Sequence, residues 1–347
     1  MEESGAREET VLVTGATGYL GGWCVAELLR RGYRVRATVR DLAREPEVRA
    51  TVGSEVDAGD RLSLVDADLG SEAGWADAAQ GCDFVLHVAS PFPPAQPKDP
   101  DELIVPARDG TLRVLGAGLD AGAKRIVVTS SSAAVRNGGS APAGRPLNEE
   151  DWTDPDNPKL TPYSRSKTIA EQAAWALARE RGAEDRLAVV NPVAILGPVL
   201  SDDLSYSLEI VQRLLKGMPG VPRLGFSFVD VRDVADLEIR AMTAPEAAGQ
   251  RFLAAGPFLW MAQVAGILRD RLGTAAEKVP TRTVPDLLVR AMAIVDSGLR
   301  TVVGELGQEV TYSSEKAKDR LGWSPRPVED TITQTAESLV KRGLASG

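Results

Sequence analysis

One histidine, His87, and two cysteines, Cys24 and Cys82, occur among the 347 residues. A Ser-His-Asp triad or a multi-histidine metal centre could be built only around His87, so we predict no metal site. Both cysteines stand in patterns typical of small buried side chains, and no disulfide is predicted.

Long apolar runs and clustered positive charge are also lacking. No uninterrupted apolar stretch approaches the roughly 18 residues of a spanning helix, and the net charge is −9. Clustered Lys and Arg would mark a nucleic-acid surface, and an apolar core after a basic region would mark a secretory signal. The net negative charge argues against a nucleic-acid surface, and the acidic start MEESGAREE does not fit a secretory signal. We expect a cytoplasmic protein without membrane or nucleic-acid partners, and its oligomeric state stays open.

Short β-rich runs alternate with helical stretches through the first half, from TVLVTG to RLAVVNPV. This alternation predicts an α/β fold: a Rossmann-type doubly wound parallel sheet with a smaller, mainly C-terminal lobe. Runs such as RIVV have no polar face, as expected of strands buried on both sides. We assign the sheet domain to residues 1–197 with a return segment near 227–255. The lobe takes 198–226 and 256–325, and a C-terminal helix takes 326–347.

Three glycines follow the first apolar strand in TVLVTGATGYLGG, at the start of a helix. Gly15, Gly18 and Gly21 keep the backbone bare at a tight turn, so that a pyrophosphate can approach closely. The helix N-terminus adds unpaired N–H groups and a partial positive charge. Three neighbours can supplement these groups: Thr17, Tyr19 and Leu20. A glycine cluster alone could be an ordinary turn, but the strand before it and the helix after it predict an NAD(P)-binding domain.

The end of the second predicted strand bears on which dinucleotide is bound. A carboxylate there would accept the ribose hydroxyls of NAD, whereas an arginine pairs with the 2′-phosphate of NADP. Arg40 occupies this place, and Arg44 could supply a second cation. Asp41, directly beside Arg40, keeps NAD as an alternative. We expect NADP(H) as the cofactor, with NAD(H) less favoured.

The third and fourth predicted strands end near the adenine side of the same crevice. Asp68 and Leu69 are placed to meet the adenine edge, although an acidic residue at a strand end is commonly a turn former. At the end of the fourth strand we expect His87 to be a packed residue rather than an acid–base catalyst. The proline-rich PFPPAQPKDP follows as an extended loop, which either borders the crevice or is only a spacer.

Tyr163 and Lys167 stand four residues apart in TPYSRSKTIAEQAAW, whose small and apolar residues recur at helical spacing. Both side chains should therefore leave one face of one helix. An ammonium one turn away stabilises phenolate over phenol, so we expect the pKa of Tyr163 to be lowered. The same spacing also arises by chance on solvated helices, and the pair alone does not define a site.

Taken together and in this order, TGATGYLG, the strand end at Arg40, the TSSS run and Tyr163-x-x-x-Lys167 resemble the extended short-chain dehydrogenase/reductase superfamily. Further segments resemble its dihydroflavonol 4-reductase and cinnamoyl-CoA reductase group, which includes microbial NADPH-dependent aldehyde and ketone reductases. These segments are VRATVRD, HVASPF, RIVVTSSSAAV, YSRSKTIAEQAAW, VVNPVAILGP and FVDVRDVAD.

The resemblance implies a catalytic triad of Ser131, Tyr163 and Lys167, with Ser132 as the alternative serine. In such a triad, hydride passes from the nicotinamide to a carbonyl carbon while Tyr163 protonates the oxygen and Ser131 hydrogen-bonds it. Lys167 would lower the tyrosine pKa and hold the nicotinamide ribose. Three further cofactor contacts are implied by the resemblance: Ala89, Pro192 and Val193.

Two departures from the named enzymes bear on the substrate. Cinnamoyl-CoA reductases carry Asn-Trp-Tyr-Cys-Tyr-Gly-Lys around the tyrosine where this chain has LTPYSRSK, and dihydroflavonol reductases carry asparagine where Arg136 stands. An aldehyde or ketone is therefore favoured over a CoA thioester or a flavonoid. A partly apolar substrate pocket is expected to include Phe92, Val135, Tyr206 and Phe226.

Two other functions remain as alternatives. A sugar-nucleotide epimerase or dehydratase of the same superfamily uses the same triad, and a nucleotide-sensing protein has the same fold without turnover. HVASPF and AEQAAW match the reductases better, and sensors typically lack the tyrosine–lysine pair that this chain keeps. We therefore expect an NADPH-dependent reductase that acts on a small carbonyl compound.

Overall fold

The computed structural model describes residues 7–91, 99–136, 144–202, 204–294 and 303–345. Strands and helices alternate through its first half as β1 (Thr10–Thr14), α1 (Tyr19–Arg30), β2 (Arg34–Val39), α2 (Glu45–Gly53), β3 (Leu62–Asp66), α3 (Trp75–Ala79), β4 (Phe84–His87), α4 (Asp101–Asp120), β5 (Arg125–Thr129), α5 (Pro162–Glu180) and β6 (Leu187–Pro192). The later elements are β7 (Ala194–Leu196), α6 (Tyr206–Lys216), β8 (Val221–Pro222), β9 (Gly225–Asp230), α7 (Val231–Thr243), β10 (Gln250–Ala254), β11 (Phe258–Trp260), α8 (Met261–Leu272), β12 (Thr283–Val284), α9 (Asp286–Met292), α10 (Glu315–Leu321) and α11 (Val328–Lys341). Across this described part of the chain, every helix is too short or too polar to span a bilayer.

Seven parallel strands form the main sheet, in the order β10-β6-β5-β4-β1-β2-β3. The chain changes its direction of travel across the sheet between β1 and β4, and the carboxyl ends of such strands border the ligand crevice. Val11 and Val13 face one layer and Leu12 the other, and each is at most 1% exposed. The doubly wound parallel sheet predicted from the sequence is confirmed.

Helices cover both faces of this sheet. On one face α1, α2 and α7 enclose an apolar core in which Trp23, Leu28 and Val234 are buried. On the other face α3, α4 and α5 enclose a core around Leu115 and Trp175. Because each helix is packed on the sheet, the N-termini of α1 and α5 are held at defined places along its carboxyl edge.

The lobe has a core of its own. Its small sheets have the orders β11-β9-β7 and β12-β8, and α6, α8 and α11 contribute Leu208, Val264 and Ile332 to the core that covers them. Within residues 227–255, β9 stays with the lobe sheet, whereas α7 covers the main sheet and β10 pairs with β6. The return to the first sheet is thus made by α7 and β10, and the numbered domain boundaries stay a prediction.

Candidate active site

A glycine loop joins β1 to α1 at the carboxyl edge of the sheet. Gly15 has a φ of +74°, and a Cβ there would lie 3.0 Å from the Ala89 Cβ. A Cβ on Gly21 would lie only 2.1 Å from the Gly15 carbonyl oxygen. No described side chain caps α1 at Gly18, so its first-turn N–H groups remain available to an anion. The loop therefore offers bare backbone next to a helix N-terminus.

The neighbours of the glycine loop differ in exposure. Thr17 and Tyr19 are half-buried, and Leu20 is buried. The Tyr19 phenol points into the protein. Its oxygen lies 3.2 Å from the position that a Cβ on Gly197 would occupy. Burial, together with the charge of Asp230, raises the pKa of Tyr19 well above its ordinary value. Any contact of Tyr19 with a phosphate would therefore be made by its backbone N–H.

Two arginines past the end of β2 differ in their partners. Arg40 is exposed and makes no ion pair with any described residue. Arg44 donates two hydrogen bonds of 2.8 Å to Glu47 of α2. Asp41 accepts a backbone N–H at 2.8 Å and caps the short 3₁₀ turn that follows it. Arg40 is thus the cation available to a phosphate, whereas the second cation expected at Arg44 is engaged with Glu47.

The predicted adenine-side residues lie at the carboxyl ends of β3 and β4. Asp68 is exposed and accepts a backbone N–H at 2.8 Å, the bond of a turn former. Leu69 packs against Gly110 of α4, where an added Cβ would lie 2.9 Å from the Leu69 Cβ. The Ala89 N–H donates to Thr14 Oγ1 at 3.0 Å. These residues border the same edge of the sheet as the glycine loop.

Ser131 and Tyr163 meet at the carboxyl end of β5. Ser131 follows that strand and accepts a backbone N–H at 3.1 Å in the 3₁₀ turn Ser132–Ala134. Its side chain also shares a hydrogen bond with Tyr163. Ser132, the alternative serine, instead hydrogen-bonds Tyr312. Of the two serines, Ser131 is therefore the one that contacts the tyrosine.

Tyr163 and Lys167 leave successive turns of α5. The helix begins here because Thr161 Oγ1 accepts the Ser164 N–H at 3.1 Å and thereby caps it. Pro162 follows at the first helical position, where its fixed φ suits a helix start. The local sequence thus sets the register that places the phenol and the ammonium group one turn apart.

Burial changes the proton affinity of both groups. It raises the pKa of Tyr163, and the hydrogen bond with Ser131 offsets part of that rise. It lowers the pKa of Lys167 to about 8, opposed by the charge of Glu171. The sequence-based expectation of a lowered Tyr163 pKa is therefore wrong in sign. Desolvation of the phenolate is the larger effect, and the hydrogen bond with Ser131 opposes it only in part.

His87 lies beneath this pair at the end of β4. Burial lowers its pKa to about 3, and the charge of Lys167 acts in the same direction. The ring is therefore neutral, and its Nδ1 lies 2.9 Å from Thr14 Oγ1. Such an environment suits a packed residue. Among the described residues, no group of three or more His, Cys, Asp and Glu side chains could hold a metal ion.

Glu171 is a member of this site that the sequence-based search missed. It follows Lys167 by one further turn of α5, and its side chain is fully buried. Its carboxylate accepts hydrogen bonds from Ser130 at 2.6 Å, Asn191 at 2.7 Å and Arg251 at 2.5 Å. The helical register of positions 163, 167 and 171, which puts a carboxylate among small and apolar residues, could have revealed it.

The remaining predicted cofactor contacts lie at the turn from β6 into β7. Pro192 ends β6, where it pairs with Ala254 of β10. The Val193 N–H donates to the Ala254 carbonyl at 3.1 Å, and its side chain is 7% exposed. This turn thus stands at the carboxyl edge of the sheet, next to the strand end that carries Ser131.

The predicted pocket residues differ in exposure and in the side chains they pack against. Val135 is 1% exposed and packs in a small core cluster with Leu147, so its assignment to the pocket surface is wrong. The cause is the loop after residue 144, which covers that side chain. Tyr206 opens α6 and is 48% exposed, and Phe226 on β9 packs against the lobe core. Phe92 lies outside the described residues.

A glycine loop and a Ser-Tyr-Lys set on one edge of a doubly wound sheet are typical of dinucleotide-dependent oxidoreductases. Residues 11–255 match the model of the NAD dependent epimerase/dehydratase family, and the chain belongs to that family. The match confirms the resemblance to the extended short-chain dehydrogenases/reductases that the sequence motifs indicate.

Similar proteins narrow the class to reductases. The chain is 34% identical to cinnamoyl-CoA reductase 1 of Petunia hybrida over 340 residues, which cover 96% of this chain and 93% of that protein. It is 35% identical to dihydroflavonol 4-reductase of Zea mays over 355 aligned residues, with coverage of 98% and 91%. Among solved structures, yeast methylglyoxal/isovaleraldehyde reductase Gre2 complexed with NADPH is similar with a TM-score of 0.79. That pair is 26% identical over 96% of this chain and 99% of the other.

Proposed function

We propose that this chain is an NADPH-dependent reductase that converts the carbonyl group of a small aldehyde or ketone into an alcohol. The observation that carries the proposal is the hydrogen bond between Ser131 and Tyr163, one helical turn from Lys167 and on the same edge of the sheet as the glycine loop. The names of the similar proteins support it, because they are carbonyl-acting reductases and the yeast one is a complex with NADPH.

The residues present fit a dinucleotide phosphate. The bare backbone at Gly15 and Gly21 and the uncapped start of α1 would hold the pyrophosphate. Arg40, exposed and without an ion pair among the described residues, would hold the 2′-phosphate that distinguishes NADP from NAD. When bound, the cofactor supplies the hydride. The protein supplies binding, orientation and the proton.

Tyr163 would donate that proton to the carbonyl oxygen. Because burial raises its pKa, the phenol keeps its proton at neutral pH and can act as the acid. Ser131 Oγ already accepts a backbone N–H, which leaves its own proton for the phenol or for a carbonyl oxygen. Lys167, with a pKa of about 8, is mostly an ammonium at neutral pH and would stabilise the phenolate left after transfer.

The residues around Tyr163 and Lys167 support a substrate class. Arg136, which stands where dihydroflavonol reductases carry asparagine, has its Nη1 2.6 Å from Glu305 Oε2 and is therefore engaged with the lobe. This engagement favours a small carbonyl compound over a flavonoid. Tyr206 and Phe226 are proposed as the lobe's contribution to the substrate pocket.

The test is the initial rate of NADPH oxidation with a panel of carbonyl compounds. The panel includes aliphatic aldehydes, aryl aldehydes, ketoesters, a dihydroflavonol and cinnamoyl-CoA. We expect turnover with aldehydes or ketoesters that exceeds turnover with the two larger substrates. Purified protein that retains NAD and consumes no NADPH with any of them would instead support a sugar-nucleotide epimerase or dehydratase.

A further inference from the structure

Glu171 is held by donors from four separate parts of the fold. Its Oε2 accepts from Ser130, which follows β5, and from Asn191 of β6, at 2.6 and 2.7 Å. Its Oε1 accepts from Arg251 of β10 at 2.5 Å and from Trp175 of α5 at 3.4 Å. With so many donors the carboxylate has little freedom to rotate, and with Arg251 it forms a buried ion pair.

The cluster around Glu171 contains more cations than anions. Arg251 is buried and pairs with Glu171, and Lys167 is half-buried one turn before Glu171 on α5. Lys167 and Glu171 are one turn apart on α5 and line one small cavity together with His87. The negative charge of Glu171 therefore acts on Lys167 across this cavity, where it raises the pKa of Lys167 against the effect of burial.

Stability alone is a weak reason for such a cluster. Removing two charges from water costs about as much as their attraction returns, so buried ion pairs are often replaceable by apolar side chains. Glu171 differs from a plain ion pair because its second neighbour, Lys167, stands next to the proposed proton donor.

We propose that Glu171 is a positioning residue, whose fixed negative charge, one helical turn away, stabilises the ammonium group of Lys167 next to Tyr163. This inference rests on the proposed function, since the ammonium matters only if Tyr163 transfers a proton. Glu171 touches neither the carbonyl group nor the phenol in this arrangement. It acts through Lys167, and Arg251 limits its effect by sharing the same carboxylate.

Other titratable side chains lie around Glu171 and Lys167. His87 of β4 is neutral below Lys167, with its pKa lowered to about 3 by burial. Arg251 has Glu149 and Lys316 as further charged neighbours. Glu238 of α7 bonds Thr129 at the end of β5, and burial raises its pKa to about 8. Of these groups, Glu171 is the one whose charge acts on Lys167.

The experiment is the pH profile of kcat for NADPH-dependent reduction. Its alkaline limb reports deprotonation of the coupled Tyr163–Lys167 pair. Glu171→Gln removes the negative charge, so we expect the limb to move to lower pH by about one unit. Arg251→Met leaves the charge of Glu171 uncompensated, and the limb should move to higher pH. Opposite shifts from two neighbouring substitutions cannot arise from general damage to the fold.

Two further variants act as controls. Glu171→Asp keeps the charge, and its limb should return close to the wild-type position even if kcat is lower. Glu238→Gln replaces another fully buried glutamate that bonds Thr129 and not Lys167, so its limb should not move. Limbs that coincide with the wild type in both Glu171→Gln and Arg251→Met would overturn the proposal, as would shifts in the same direction.

A second readout does not depend on turnover. With isotopically labelled lysine, the Lys167 side chain can be titrated by NMR and assigned with a Lys167→Met variant. We expect its pKa to fall in Glu171→Gln and to rise in Arg251→Met. If the wild type reduces no carbonyl compound, the proposed function fails and this titration still decides the role of Glu171. If Glu171→Gln does not fold, Arg251→Met and Glu171→Asp decide it.

Discussion

Ser131 and Tyr163 share a hydrogen bond although one follows β5 and the other opens α5. The contact exists because α5 packs against β5, so the start of α5 lies at the carboxyl end of that strand. Both hydroxyl groups are therefore at the same edge of the sheet. The burial that accompanies this packing keeps the proton on the phenol. The pair is therefore prepared to donate a proton rather than to accept one.

Replacing Tyr163 by phenylalanine removes the proposed proton donor without changing the ring. We expect kcat for carbonyl reduction to fall by about 10² to 10⁴-fold, the usual contribution of general acid catalysis. The affinity for NADPH, measured by fluorescence titration, should stay within about twofold. Tyr33→Phe, which removes a phenol at the amino end of β2, away from the proposed site, is the matched control. Wild-type kcat in Tyr163→Phe would remove it as the donor.

Arg40 is predicted to set the preference for NADPH over NADH. Loss of a charge-assisted contact to the 2′-phosphate costs about 1.5 to 3 kcal/mol, which corresponds to roughly ten- to a hundredfold in kcat/KM for NADPH. Arg40→Ala should lose that much with NADPH and little with NADH. Arg44→Ala should lose less, because Arg44 is held by Glu47. Equal efficiency of the two cofactors in the wild type would contradict the assignment.

The glycine loop makes a steric prediction. Gly21→Ala places a Cβ where the Gly15 carbonyl oxygen already lies, so the loop must shift. We expect weaker NADPH binding by at least tenfold and a lower melting temperature. Gly116→Ala, in α4 with open space around it, should instead raise stability by about 0.5 to 1 kcal/mol. Unchanged NADPH affinity in Gly21→Ala would show that this turn does not hold the phosphates.

Glu238 links stability to pH. Burial raises its pKa to about 8, so between its ordinary pKa of about 4.3 and pH 8 the folded protein holds a proton that the unfolded chain releases. This contribution to the free energy of unfolding is present below about pH 4 and is lost as pH rises to about 8. Glu238→Gln cannot ionise, so its stability relative to the wild type should increase steadily over that range in urea titrations.

A matched comparison tests the source of this pH dependence. Asp233, whose pKa burial raises to about 6, gives a slope of the same sign in both the wild type and Glu238→Gln. It therefore cancels in the difference between the two proteins. Parallel stability curves from pH 5 to pH 8 would mean that Glu238 is ionised throughout, contrary to the prediction.

Local patterns in the sequence were sufficient for the parts of the fold that depend on short segments. The central strands β1, β4, β5 and β6 are mainly apolar runs, and the glycine loop follows the first of them, so both could be predicted. The start of α5 could likewise be predicted, because Thr161 caps the helix and Pro162 is its first residue. Tyr163 and Lys167 take their register from that start.

The parts that failed depend on what distant segments cover. Val135 was expected in a pocket wall, but the loop carrying Leu147 encloses it. The sign of the Tyr163 pKa shift follows from burial by several elements, which no helical spacing reveals. Glu171 was missed because its partners Asn191 and Arg251 come from β6 and β10, far along the chain.

The pairing of β10 with β6 has a consequence for how the chain folds as it is synthesised. The sheet order puts the last-made strand, residues 250–254, at an outer position beside β6. Until that strand leaves the ribosome, β6 is an open edge with unpaired N–H and C=O groups, which invites pairing with other chains. A nascent chain stalled before residue 250 should therefore need chaperone protection, and it would also lack Arg251, the cation that shares Glu171 with Lys167.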